Sequence, residues 1–197
     1  VKEDQLDMVE HIAMAPNRAV NLKTGELEEP DPKHLCSKCM TVEYKKDATA
    51  PRFMQFLDEI MGGDKEKIEF LQRWAGYSMT GNTSAQSFLI LYGTGANGKS
   101  TLVELLARIL GGYGKSAPPD TFVVKQAGSI PNDIAALRGA RSVLTTETEA
   151  NARLAESRVK YMTGGDRVSA RFMRAEYFEF IPQWKIVIST NHRPRVS

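Results

Sequence analysis

The chain has 197 residues, of which 42% are hydrophobic and 25% charged, with a formal net charge of +2. This is enough for one ordinary domain plus an appendage, and the balance excludes disordered, fibrous and collagen-like classes. No apolar run approaches the length of a membrane span, no secretory signal is visible, and the small net charge does not by itself demand a polyanionic partner.

Residues 1–50 are polar and turn-rich. Asp4 to Ala15 is expected to form a short helix, Asn21 to Leu27 a small hairpin turning at Thr24-Gly25, and Glu28 to Pro32 a loop. Cys36 and Cys39 are the two cysteines of the chain, spaced C-x-x-C. A structural zinc site normally takes four ligands; His34 is near, no fourth ligand is evident, and no thioredoxin-like pattern surrounds the pair. Two reduced cysteines without metal are expected.

Residues 51–85 read as a helical pair. Pro51 suits a first helical position. Phe53, Phe56, Leu57 and Ile60 share one face, and Gly62-Gly63 ends the helix. Asp64 can cap a second helix with an apolar stripe at Ile68, Leu71, Trp74 and Ala75. A helical pair has two faces to cover, which makes this region a candidate oligomerisation surface.

The stretch that dominates residues 86–197 is Gly93-Thr94-Gly95-Ala96-Asn97-Gly98-Lys99-Ser100-Thr101. It has the phosphate-loop spacing, follows the apolar run Phe88 to Tyr92, which reads as a buried strand, and precedes a helical pattern at Leu102, Leu105, Leu106 and Ile109 that Gly111-Gly112 closes. Glycines let the backbone wrap a phosphate with its N–H groups inward, and the new helix adds its positive dipole end. Lys99 is expected to reach the β- and γ-phosphates of ATP, and the Ser100 hydroxyl to ligate Mg²⁺.

Beyond it, Pro118-Pro119-Asp120 marks a loop and Asn132 to Leu137 a short helix. Arg141 to Thr146 reads as a strand ending in Glu147-Thr148-Glu149. Arg153 to Met162 is expected to be a helix stopped by Gly164-Gly165. Val168 to Met173 and Tyr177 to Ile181 form an expected hairpin with its tip near Arg174-Ala175. Lys185 to Ser189 is a further strand, with Thr190-Asn191 at its end. Strands alternating with helices predict an α/β fold with a mostly parallel sheet.

A phosphate loop needs an acid for Mg²⁺ and for the attacking water. Glu147 and Glu149 would point the same way on an extended strand end. Ligands of open α/β sheets sit beyond the carboxyl ends of the strands, where the Asn191 amide would serve a γ-phosphate or a water; a turn-forming Asn is the alternative. Arg153 to Arg174 holds six basic residues (Arg153, Arg158, Lys160, Arg167, Arg171, Arg174) and two acids, a net +4 in a chain of +2. Such concentration suits a phosphate-binding surface, with Arg153 and Lys160 on one helix face and Phe172 beside Arg174 for stacking.

These motifs, in the order Gly93–Thr101, Leu137-Arg138-Gly139-Ala140-Arg141 running into Thr146-Glu147, Lys160-Tyr161-Met162-Thr163-Gly164-Gly165-Asp166, and Ser189-Thr190-Asn191-His192-Arg193-Pro194, resemble those of a superfamily 3 helicase. More narrowly the chain is similar to the helicase part of the phage and plasmid primase–helicase family. Upstream, Asn21-Leu22-Lys23-Thr24-Gly25 and Phe70 to Tyr77 are similar to the segment that precedes the ATPase there. The resemblance implies a P-loop, AAA+-like ATPase that forms a hexameric ring, translocates 3′ to 5′ on single-stranded DNA, and unwinds phage, prophage or plasmid DNA. It implies other replication proteins as partners, no membrane, and the cytoplasm of a bacterial host. It makes Gly93–Thr101 Walker A, Glu147 the Walker B acid and Mg²⁺ partner, and Asn191 the sensor. It makes Lys160, Arg171, Phe172 and Arg174 DNA contacts. Many relatives carry adjacent acids at Walker B, whereas Thr148 separates Glu147 from Glu149 here. The chain reads as a fragment, with the arginine that acts on a neighbouring subunit's ATP expected past Ser197; Arg193 and Arg195 stand too near the sensor to match it. The competing readings are an ATPase that loads or remodels replication proteins without unwinding, and a nucleotide-binding oligomerisation module without hydrolysis.

Overall fold

A strand with apolar side chains on both faces has to be covered on both, and three runs of this chain have that pattern. The computed structural model describes residues 5–122, 132–146, 153–154, 156–192 and 195–196. In chain order, β1 (Ile12–Ala15), β2 (Arg18–Asn21) and β3 (Leu27–Glu28) form an antiparallel sheet. Two helices follow, α1 (Pro51–Met61) and α2 (Lys65–Met79), and then β4 (Phe88–Tyr92), α3 (Lys99–Leu110), β5 (Gly114–Ser116), α4 (Asn132–Ala135) and β6 (Ser142–Thr146). The remainder is β7 (Arg153–Leu154), α5 (Glu156–Thr163), the β8 (Val168–Ala170) and β9 (Phe178–Phe180) hairpin, β10 (Lys185–Thr190) and β11 (Arg195–Val196).

The main sheet has the order β4-β10-β6-β5, parallel throughout. The expected α/β class with a parallel sheet is what forms. Strand periodicity explains its two-sided core. Ile90, Val143, Ile186 and Ile188 face a cluster with Leu137, Met162, Val168 and Trp184, while Leu89, Leu91, Leu144 and Val187 face one with Trp74 and Val103. Every residue of β10 is buried. β4 is expected as a buried strand, yet it is only half-buried, because it lies at the sheet edge.

The helical pair forms as its sequence signals say. Pro51 opens α1, Gly62 closes it at φ 62°, and the Asp64 carboxylate caps α2 by accepting from the Lys67 N–H. Two expectations fail. Asp4 to Ala15 does not form a helix: Ile12–Ala15 is strand β1, paired with β2 across the turn at Pro16-Asn17. Proline in that turn and cross-strand pairing override the local helical spacing. Arg153 to Met162 is not one helix either. Arg153–Leu154 pairs in parallel with β11, and α5 starts at Glu156, so Arg153 and Lys160 do not share a helix face.

Two buried cations tie the first eighty residues to the sheet. The Arg141 guanidinium, 1% exposed, donates to the carbonyls of Val9, Ile12 and Met79 and lies 4.3 Å from the Tyr113 ring centroid. The Lys185 ammonium, equally buried, donates to the carbonyls of Thr80, Asn82 and Gln183, with the Tyr77 ring 4.7 Å away. Among the described residues no helix is long and apolar enough to cross a membrane.

Candidate functional site

The loop between β4 and α3 owes its shape to residues without, or nearly without, side chains. Gly95 (φ 102°), Ala96 (φ 47°) and Gly98 (φ 80°) occupy left-handed conformations. Gly93 leaves room for the Asn97 amide: a Cβ at Gly93 would come within 1.9 Å of Asn97 Nδ2. Gly98 is also the cap of α3, so the first helical N–H groups open toward the space above the loop.

Lys99 crosses that space. Its ammonium donates to Gly93 O at 2.8 Å, Asn97 Oδ1 at 2.8 Å and Asn191 Oδ1 at 3.0 Å. The last contact joins residues far apart in sequence, and the strand order explains it. β10 lies directly beside β4, with Thr190 opposite Tyr92, and the Gly93 N–H donates to Thr190 O at 3.3 Å. Asn191 therefore emerges next to the loop, at the carboxyl end of the sheet.

The cleft between them holds about 300 Å³; Gly95 to Thr101 form one wall, and Thr146, Ser189, Thr190 and Asn191 the other. Its described groups are N–H donors, hydroxyls, amides and one ammonium whose three acceptors are neutral oxygens. That donor set fits a phosphate chain, and the Ser100 hydroxyl on the cleft wall is the oxygen ligand a Mg²⁺ would take there. Gly95, Ala96, Asn97, Gly98, Lys99, Ser100, Thr101 and Asn191 are thus brought together, with the Gly93 carbonyl accepting from Lys99, while Thr94 is not among the residues lining the cleft. Glu147, Glu149 and Arg193 lie outside the described residues; β6 carries the chain to Thr146, opposite Ser189.

The residues singled out for DNA lie elsewhere. Lys160 is exposed on α5. Arg174 stands at φ 63° in the turn of the β8–β9 hairpin, where the Ala175 N–H donates to Phe172 O. Phe172 is 48% exposed and stacks on Phe178 at 5.7 Å, and the Arg171 guanidinium sits 4.7 Å from the Tyr177 ring centroid. Among the described residues the cysteines join no group of three or more metal-ligating side chains. Cys36 donates to His34 O, burial pushes both thiols upward in pKa, and the His34 ring pairs with Glu28 at 3.1 Å.

Sequence reasoning missed Thr146, Ser189 and Thr190, whose place in the cleft depends on strand order. It also missed the support beneath the loop: a Cβ at Gly98 would meet Ile60 Cγ2 at 2.5 Å and the Phe56 ring at 3.2 Å, so α1 packs on the loop itself. The apolar stripe was legible, its partner was not.

With this geometry in hand, comparison with known proteins places the chain. The model of the family of unknown function DUF5906 matches residues 91–197, which holds the Gly93–Thr101 loop, strands β5, β6 and β10 of the main sheet, and the hairpin. The chain belongs to this family. Ahead of the DUF5906 region, a model described as D5 N terminal like matches residues 1–62. Over 97% of the chain it is 29% identical to "Putative helicase L207/L206" of Acanthamoeba polyphaga mimivirus, and it spans 20% of that protein's length. Its fold is that of the NrS-1 C-terminal region: two apo structures match with TM-scores of 0.64 and 0.62 at 15% and 16% identity. These alignments cover 92% and 91% of this chain and 41% and 42% of those. The resemblance carried by the motifs is borne out: the DUF5906 chain is a homologue of a viral helicase, preceded in its own sequence by a D5-like segment.

Proposed function

We propose that the chain is the nucleotide-hydrolysing part of a superfamily 3-type DNA helicase, which couples ATP–Mg²⁺ turnover to movement along single-stranded DNA as a ring in phage, prophage or plasmid replication. The observation that carries the reading is the Lys99–Asn191 contact at 3.0 Å, which ties a phosphate loop to the tip of the neighbouring strand.

In this reading the loop N–H groups and Lys99 hold the β- and γ-phosphates, and Ser100 with Glu147 holds Mg²⁺. Lys99 exchanges a neutral oxygen for a charged one, which adds ion-pair attraction to a hydrogen bond whose donor is already charged. Glu147 or Glu149 orients the attacking water, and the Asn191 amide, one residue past β10, senses the γ-phosphate. Exposed aromatic and basic groups at the hairpin tip, Phe172, Arg171 and Arg174, contact DNA.

The test is nucleotide binding and turnover in the full-length protein. Lys99→Ala is expected to weaken binding of a fluorescent ATP analogue strongly with little change in Tm, because Lys99 serves the cleft and not the core. Glu147→Gln is expected to retain binding and lose turnover. Normal hydrolysis in both variants, with or without single-stranded DNA, sinks the reading.

A further inference from the structure

Among the described residues, a second polar cleft lies at the other end of the sheet. It holds about 420 Å³, against about 300 Å³ for the phosphate-loop cleft. Arg138 and Gly139 precede β6 and Gln183 precedes β10, so this cleft opens at the amino ends of the strands whose carboxyl ends reach the phosphate loop.

Four cations line it from four separate segments: Lys38 before the helical pair, Lys115 on β5, Arg138 after α4 and Arg167 before β8. Two acids line it as well, Asp7 and Glu179. Asp7 is spent internally, accepting from the Ser37 N–H at 2.6 Å and from the Ser37 hydroxyl, with Lys38 Nζ at 4.0 Å. The N-terminal segment is held tightly to this end. Gly139 stands at φ 75°, and a Cβ there would meet Lys38 Cε at 3.1 Å and Asp7 Oδ2 at 3.3 Å.

An aromatic wall completes the cleft. Phe172, Phe178, Phe180 and Trp184 form a continuous ladder with successive centroids 5.7, 5.8 and 5.7 Å apart, and Phe172 and Phe180 line the cleft. Arg138 lies 5.5 Å from the Phe178 ring centroid. Ring faces beside spaced cations are what a base and its phosphates require together, without regard to sequence.

We propose that this cleft is a second contact for single-stranded DNA, continuing from the hairpin tip to the N-terminal segment; it rests on the helicase reading above. Phe172 is shared by the tip and the cleft, so a strand leaving the tip enters here. The size suits a nucleotide or two of a single strand. Lys38 makes the D5-like segment part of the DNA path.

The experiment is anisotropy of a labelled 20-residue oligothymidylate with the full-length protein, titrated at several salt concentrations. Lys115→Gln with Arg167→Gln removes two cleft cations. It is expected to weaken binding about tenfold and to make the salt slope shallower by about 1.4, at about 0.7 per phosphate contact on a single strand. Lys46→Gln with Lys65→Gln, the same charge change outside the cleft, is expected to leave affinity and slope unchanged, and all variants keep affinity for the ATP analogue. Equal weakening by both pairs reduces the effect to net charge and overturns the proposal. An unchanged slope in the cleft variant, while Arg174→Ala weakens binding, overturns the cleft alone and leaves the helicase reading standing. Failure of the unmutated protein to bind the oligonucleotide overturns both.

Discussion

Ile60 and Gly98 are in contact so close that a Cβ on the glycine would sit 2.5 Å from Ile60 Cγ2. One residue belongs to α1, the other to the Gly93–Thr101 loop, where it caps α3. The helical pair therefore sets the height of the loop. Gly98→Ala suffers twice, from the contact and from φ 80°, which a side chain rarely adopts. Loss of ATP-analogue binding is expected with a Tm drop of only a few degrees. Ile60→Ala acts in the opposite sense: it removes the floor of the loop without touching the cleft. A severalfold weaker affinity is expected, together with a destabilisation of about 1–3 kcal/mol, since Ile60 is half-buried. Unchanged affinity in Ile60→Ala would show that the loop holds its shape without α1.

On the proposed reading, Asn191 is expected to separate binding from chemistry. Its amide oxygen accepts from Lys99, while the Thr190 hydroxyl exchanges hydrogen bonds with the His192 backbone, donating to its carbonyl at 2.9 Å and accepting from its N–H at 3.1 Å. The tip is thus held by its own turn, and replacing the amide leaves the strand in place. Asn191→Ala is expected to bind the ATP analogue within a few-fold of normal and to lose about 10²- to 10³-fold in turnover, the usual effect of deleting one positioned donor. Phosphate release measured beside analogue binding checks this. Equal loss in both would make Asn191 a binding residue only.

The parts of the molecule legible in the sequence are those that local chemistry fixes. Pro51, Gly62 and Asp64 bound the helical pair because caps act within a turn of their own helix. Gly93 to Thr101 declared its loop because φ above zero, as at Gly95 and Gly98, favours glycine. What depended on strand order stayed hidden. Nothing near Asn191 in sequence says that β10 inserts between β4 and β6, yet that insertion alone brings it to Lys99. Arg141 and Lys185 each stand at the head of an apolar strand, where a charge ordinarily marks the surface. Both are buried instead, because carbonyls of the preceding segments close over them. Ile12–Ala15 was misread for the same reason: its partner strand, not its own periodicity, decides it.

Lys185 gives the fold a pH dependence of unusual sign. The ammonium is buried with carbonyls of Thr80, Asn82 and Gln183 as acceptors, the Tyr77 ring beside it and Arg141 nearby, and burial foremost lowers its pKa from 10.5 to about 7. Below about pH 7 the lysine is protonated in both folded and unfolded chains and contributes no slope. Between about 7 and 10.5 the unfolded chain binds more proton than the folded one, so stability rises with pH. Opposing groups come in later. Burial raises the Cys36 and Cys39 thiols from 9.0 and the Tyr113 hydroxyl from 10.0 to about 12, and each of these withdraws stability as pH passes its unfolded value. The net expectation is a gain of roughly 2 kcal/mol from pH 7 to 9, bounded by about 1.4 kcal/mol per pH unit for one proton, then a fall. Urea unfolding at pH 6, 7, 8 and 9 measures it. Lys185→Met lowers stability overall, since it leaves three buried carbonyls without their donor, but it should also flatten the curve between pH 7 and 9. A slope that persists in Lys185→Met assigns the pH dependence to another group.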